Sequence, residues 1–177
     1  MKSTSTKYGK VAVTIHWLSV VLILAQLGSG FRAASTIDTA AKETVLALHA
    51  PLGIAILLLT LARLLWWWFA DKKPDPVQGD PAWQAVTAKA VHVLFYVVIL
   101  GMAASGIGMM AASGAGEILF GAVDAPLPDF SKYLPRVPHG LGARLMVILL
   151  ALHAGAALYH HFIKKDGLLW RMWYRGN

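Results

Sequence analysis

The sequence predicts an all-α protein: an integral membrane four-helix bundle with both termini cytoplasmic. Apolar side chains make up 57% of the 177 residues and charged ones only 14%, which leaves too little polar surface to cover a soluble domain of this size. Four apolar stretches are long enough to cross about 30 Å of hydrocarbon, a distance that takes roughly 20 helical residues. Lysines and arginines flank those stretches unevenly, and this sets the orientation. The formal charge of +7 therefore reads as a topology signal. The cations do not form the single stripe that would track a nucleic-acid backbone, and no nucleic-acid partner is expected.

The four spans are expected near 11–31, 45–69, 86–112 and 140–163, in one transmembrane domain covering 1–177. The first is preceded by lysines and followed by Ala33-Ala34-Ser35, as a cleaved leader would be. It exceeds the usual apolar core of a leader, about 7–15 residues, and carries His16-Trp17, so it is expected to be a retained span. Lys2, Lys7, Lys10, Lys72, Lys73, Lys89, Lys164, Lys165, Arg171 and Arg175, with Arg63, fall on one side. Arg32, Lys42, Lys132, Arg136 and Arg144 fall on the other, diluted by Asp38, Glu43, Glu117, Asp124 and Asp129. The more basic side is cytoplasmic. Residues 71–81 then form a cytoplasmic linker and 113–138 a longer external loop, with a short helix expected at 117–123. Residues 168–174, with Trp170, Arg171 and Trp173, have the composition of an interfacial anchor.

Cysteine is absent, which excludes structural disulfides, thiolate-held iron–sulfur clusters, blue-copper sites and covalently attached c-type haem. Histidine inside hydrocarbon is costly and usually functional. His139 and His153 lie fourteen residues apart in the last span; fourteen helical residues turn through about 1400° and rise ~21 Å, so both rings leave one face at two depths. His16 lies near the cytoplasmic start of the first span and His49 near the external start of the second. Adjacent antiparallel helices thus offer one ligand at each depth, the geometry of two bis-histidine haems b. His49 matches the level of His139, and His153 is the preferred partner of His16. His160, seven residues further along nearly the same face, is the rival, at the cost of ~31 Å between the two levels. His92 and His160 are the substitutes.

A zinc site on a helix wants histidines three or four residues apart, and none of the seven has that spacing. Adjacent His160 and His161 splay by ~100°. Gly53, Gly101, Gly106, Gly108 and Gly155 thin the helices where flat cofactors would lie, although small residues also serve ordinary helix packing. Arg63 lies fourteen residues beyond His49 and returns to its face at the cytoplasmic level, where a propionate needs a cation; the alternative is snorkelling to the headgroups. Trp66, Trp67 and Trp68 suit an interfacial belt better than an electron path.

Thr14-Ile15-His16-Trp17-Leu18, Leu48-His49-Ala50-Pro51-Leu52-Gly53, Leu61-Ala62-Arg63, and Leu152-His153-Ala154 followed by His160-His161 resemble the bacterial cytochrome b561 family over nearly the whole chain. That resemblance implies axial pairs His16–His153 and His49–His139 on two haems b, in a bacterial inner membrane. The layout is similar to the cytochrome b subunits of formate dehydrogenases and nickel hydrogenases, which deliver electrons to quinone. Members of the family include superoxide oxidases, which take an electron from external superoxide and deliver it to ubiquinone. For that activity Lys132, Arg136 and Arg144, near His139, are expected to steer the anion, unless they are simply a solvated loop. His92, His160 and His161 are left over near the cytoplasmic side, with Lys89 one turn before His92. They are expected to relay protons to quinone, because histidine titrates in the required range.

Three functions compete at this level. The first is an autonomous di-haem oxidoreductase linking an external donor, superoxide above others, to ubiquinone. In the second the same haem pair serves as the membrane subunit of a larger dehydrogenase or hydrogenase, with a hydrophilic protein partner. A proton or ion carrier built on bare histidines is the third. A b-type absorption spectrum separates the third from the others, and copurification of a stable partner separates the second from the first.

Overall fold

Hydrophobic runs of this length form helices in a membrane because a helix satisfies every backbone group internally. The computed structural model describes residues 2–76 and 81–174. Among them are four long apolar helices: α1 (Lys10–Ser35), α2 (Thr39–Leu65), α3 (Ala82–Ser113) and α5 (Arg136–Tyr159); the short α4 (Ala115–Leu119) precedes α5. The second and fourth spans start earlier than expected, at Thr39 and Arg136, and each ends in a π-helical turn, over Trp66–Ala70 and His160–Lys164. Arg175, counted among the cytoplasmic cations, lies outside the described residues, as do residues 77–80 of the linker.

Local chemistry sets the turns. Thr36 closes α1 by returning its N–H and hydroxyl to the Arg32 carbonyl, and Asp38 caps α2 by accepting from the Ala41 N–H at 2.8 Å. The next residue to act as a stop is Gly114, whose φ of 69° ends α3 in a left-handed conformation that side chains disfavour. The expected loop helix is present as α4 but ends at Leu119.

The helices run up, down, up, down, so the start of α1 and the end of α5 share one end of the bundle, here the terminal end; α4 and the connection into α5 make the opposite, loop end. Helices α1 and α2 pack as one tight pair and α3 and α5 as another, with α2 joining α3 more loosely. Between the pairs lies a thin apolar layer: Val98, Met146 and Leu149 are buried, with Ile23, Leu27, Phe95, Ile99, Met102 and Leu150 against them. Most other large apolar side chains are exposed, as lipid-facing side chains of a membrane bundle are.

The terminal end is tied together by polar bonds. Asp71 accepts from the Ser3 N–H and hydroxyl, the Lys72 N–H and the Trp66 indole. Arg171 donates to the carbonyls of Ser5, Thr6 and Asp75, and the Trp17 indole donates to the Met172 carbonyl at 2.8 Å. The segment expected as an interfacial anchor is thus also a strap across the N-terminal residues. Trp66 and Trp67 turn inward, the latter edge-on to Tyr8, while Trp68 and Phe69 stack together on the outside.

Candidate functional site

The fourteen-residue spacing seen in α5 recurs in every long helix: His16 and Gly30 in α1, His49 and Arg63 in α2, His92 and Gly106 in α3, His139 and His153 in α5. Fourteen residues are close to four full turns, so each pair shares a face about 21 Å apart in depth. Alternating helix direction then gathers Gly30, His49, Gly106 and His139 at the loop end. His16, Arg63, His92 and His153 gather at the terminal end.

At the loop end the rings of His49 and His139 have centroids 6.2 Å apart. Two imidazoles bound to opposite sides of one iron, each through a nitrogen at about 2 Å, have ring centres roughly 6 Å apart. A Cβ on Gly30 would come within 3.0 Å of the His49 ring, and one on Gly106 within 3.2 Å of His139. Ser29 Oγ lies 2.9 Å from His49 Nδ1 and Ser105 Oγ 3.0 Å from His139 Nδ1. The Gln26 amide nitrogen lies 3.0 Å from His49 Nε2, on the lone pair that a metal would take, and Gln26 Oε1 is buried without a partner. A cavity of about 960 Å³ includes both rings and runs outward past Lys42, Glu117, Phe130 and Arg136. That volume lies near the top of the range for cofactor sites, about 300–1,000 Å³. The residues present fit a flat, bis-imidazole-ligated group.

At the terminal end the centroids of His16 and His153 are also 6.2 Å apart. This pair is more crowded. His92 and Phe95 each stand edge-on to His153 at 5.5 Å, and Trp17 edge-on to His16. Arg63 keeps its Nε buried without a hydrogen-bond partner, and its charge acts on His16, His92 and His153. It is turned into the bundle, not out to the headgroups. Beyond it, burial holds the Lys73 ammonium below its usual pKa, and the charges of Arg63 and Lys89 push the same way.

The remaining sequence-predicted residues are distributed unevenly. His92 faces His153, whereas His160 bonds Asp166 through Nδ1 and His161 packs against Trp170. Lys165, at φ 54°, makes the left-handed turn that brings Asp166 back to His160. Burial pushes the Asp166 carboxyl up, but His160, the Leu168 N–H and Lys164 together hold it below the usual carboxylate range. Arg136 lines the loop-end cavity. Lys132 is exposed on the turn whose Phe130 and Ser131 reach the cavity, and Arg144 is exposed and outside it. Among the described residues no three metal-binding side chains converge on a point.

Sequence reasoning missed Lys42, Gln26, Gly30 and the two serines. Lys42 had a signal, since it lies seven residues before His49, two turns along the same face. The serines and Gly30 had only a faint one, the dipeptide Ser-Gly at 29–30 and again at 105–106.

Comparison with known proteins gives the family of the chain. Residues 7–175 match the sequence pattern of the prokaryotic cytochrome b561 family. The chain is similar to cytochrome b561 homolog 1 of Escherichia coli, 31% identical over 94% of this chain and 96% of the relative. It is also similar to a probable superoxide oxidase, CybB, of Yersinia pestis, 29% identical over 94% of this chain and 95% of that one. A third relative is cytochrome b562 of Cereibacter sphaeroides, at 26% identity over 93% and 94%.

Proposed function

The chain belongs to the prokaryotic cytochrome b561 family, bacterial membrane cytochromes b that bind haem b and transfer electrons, and on that premise we propose that it is a di-haem superoxide:ubiquinone oxidoreductase of the inner membrane. The observation that carries the di-haem reading is the pair of facing histidine couples, each 6.2 Å apart, at two depths of one bundle. His49 and His139 would hold one haem and His16 and His153 the other, and Arg63 would supply a cation for a propionate. Bound haem b supplies a one-electron carrier at each level. The excess of lysine and arginine at the terminal end supports a cytoplasmic position for both termini.

The net reaction takes two superoxide anions and one quinone with two protons, and yields two dioxygen molecules and one quinol. Its two halves make different demands on the side chains. An anionic donor arriving from outside is drawn by Arg136 and Lys42 at the cavity and by Lys132 beside it. At the other end the acceptor needs protons. Of the three remaining histidines His92 stands closest to the His16–His153 couple, and His160 is held by the Asp166 carboxylate near the cytoplasmic surface. His161, packed on Trp170, supports that wall. The similarity to a relative named as a probable superoxide oxidase favours this donor over others.

Rapid mixing of the oxidised protein with superoxide, followed in the haem absorption bands, tests the assignment. Fast reduction that superoxide dismutase abolishes, and that ubiquinone reverses, is the expected result. Reduction that is slow and indifferent to the dismutase would overturn the donor while leaving a di-haem cytochrome in place.

A further inference from the structure

The two loop-end histidines are held by the same dipeptide on two different helices. In α1, Ser29 meets His49 Nδ1 at 2.9 Å while the neighbouring Gly30 lets the ring approach. In α3, Ser105 meets His139 Nδ1 at 3.0 Å and Gly106 lets that ring approach. Each serine hydroxyl also lies 3.0 Å from a carbonyl three residues earlier, Ser29 on Gln26 and Ser105 on Met102. A hydroxyl has one hydrogen to donate. A carbonyl can only accept, so when the hydroxyl hydrogen goes to the carbonyl each serine turns a lone pair toward its histidine. In that arrangement Nδ1 carries the proton and Nε2 is the basic nitrogen, the one combination that satisfies the carbonyl, the hydroxyl and a metal-binding Nε2 together. The Gln26 amide nitrogen, 3.0 Å from His49 Nε2, is compatible with the same tautomer.

We infer that Ser29-Gly30 and Ser105-Gly106 are matched cradles that hold His49 and His139 with Nδ1 protonated, Nε2 free for iron and the ring plane set. They are positioning residues, acting on the iron only through the histidines, and the inference rests on the di-haem reading above. A hydrogen bond accepted from Nδ1–H makes the imidazole a stronger donor to the metal, which favours the ferric state. The terminal-end couple has no such serine on its rings among the hydrogen bonds of the described residues; its environment is set by Arg63, His92 and Phe95.

Optical redox titration of the purified holoprotein carries the test. In Ser29→Ala and Ser105→Ala the midpoint potential of the loop-end haem should rise, with that of the terminal-end haem unchanged, and the double variant should shift by about the sum of the two. Ser105→Thr, which keeps the hydroxyl, should restore the parent potential. Unchanged potentials in both alanine variants, or equal shifts at both haems, would overturn the inference. Should the alanine variants fail to accumulate, Gly30→Ala and Gly106→Ala test the same cradles. A methyl group there should turn a ligand ring and move the low-spin ferric resonance of the loop-end haem alone; an unmoved resonance counts against the cradles. A parent protein without any b-type spectrum would sink the di-haem reading itself, an outcome distinct from these.

Discussion

The two histidine couples have the same separation and opposite surroundings. The loop-end couple sits in a spacious cavity, between glycines, with each Nδ1 bonded to a serine. The terminal-end couple sits among aromatic rings and near Arg63, whose Nε is buried, beneath a strap of hydrogen-bonded terminal segments. One end tunes its ligands through hydrogen bonds and lies open to a small solute. Charge and packing do that work at the other end, where hydrogen-bonded terminal segments cross the bundle. On the proposed di-haem reading, equal ligation with unequal surroundings lets one bundle hold two carriers at different potentials, since ligand bonding, charge and burial are the levers the protein has.

The largest expected effect breaks the symmetry outright. His49→Ala or His139→Ala should remove the loop-end haem alone, leaving about half the parent haem by pyridine haemochrome assay, because a bis-histidine site loses a ligand it cannot replace. His16→Ala or His153→Ala should remove the other. Loss of the terminal-end haem from a His139 variant would mean the couples are wrongly assigned.

Next in size is the anion path. Arg136→Glu should slow reduction by superoxide several-fold at low salt and flatten its dependence on ionic strength, since steering by exposed charges is screened beyond about 10 Å at 0.1 M salt. Arg144→Glu should change the rate much less, because that side chain is exposed outside the cavity. Equal effects at the two positions would point to net charge alone as the cause.

Arg63→Leu sharpens the contrast at the terminal end. A cation near the iron favours the reduced state, so its removal should lower the potential of the terminal-end haem by an energy on the order of 1–2 kcal/mol per electron at an effective dielectric near 20. The loop-end potential should not move. Thus an arginine change at one end and a serine change at the other should displace their haems in opposite directions.

The smallest effect concerns the strap. Burial pushes the Asp71 carboxyl up, but the bonds from Ser3, Lys72 and Trp66 outweigh it and hold the group below its usual range. A depressed pKa in the folded state means that the tie is at full strength above the ordinary carboxylate pKa, about 3.9. It weakens as pH falls through the folded value. Protection of the amides of residues 2–8, taken relative to the intrinsic exchange rate at each pH, should therefore fall below about pH 4, and Asp71→Asn should lower it at neutral pH, with the haem spectrum unchanged.

The four spans were legible in the chain because hydrocarbon imposes a length and a composition that need no partner, and the boundaries fell short by four to six residues at the end of α1 and at the starts of α2, α3 and α5, where polar residues extend the helices beyond the apolar run. The face shared by His139 and His153 was equally legible, since helical period depends only on spacing within one element. Those local rules determined an all-α membrane bundle with two levels of histidine. What they could not determine is which groups from other helices meet those rings. That His92 stands against His153 while His160 turns to Asp166, that Arg63 points inward, and that Ser29 and Ser105 receive Nδ1 are all matters of the rotation of one helix against another. Only the packing of α1 on α2 and α3 on α5 sets those rotations, because a side chain's partner across a bundle depends on the azimuth of two helices at once and is encoded in neither alone.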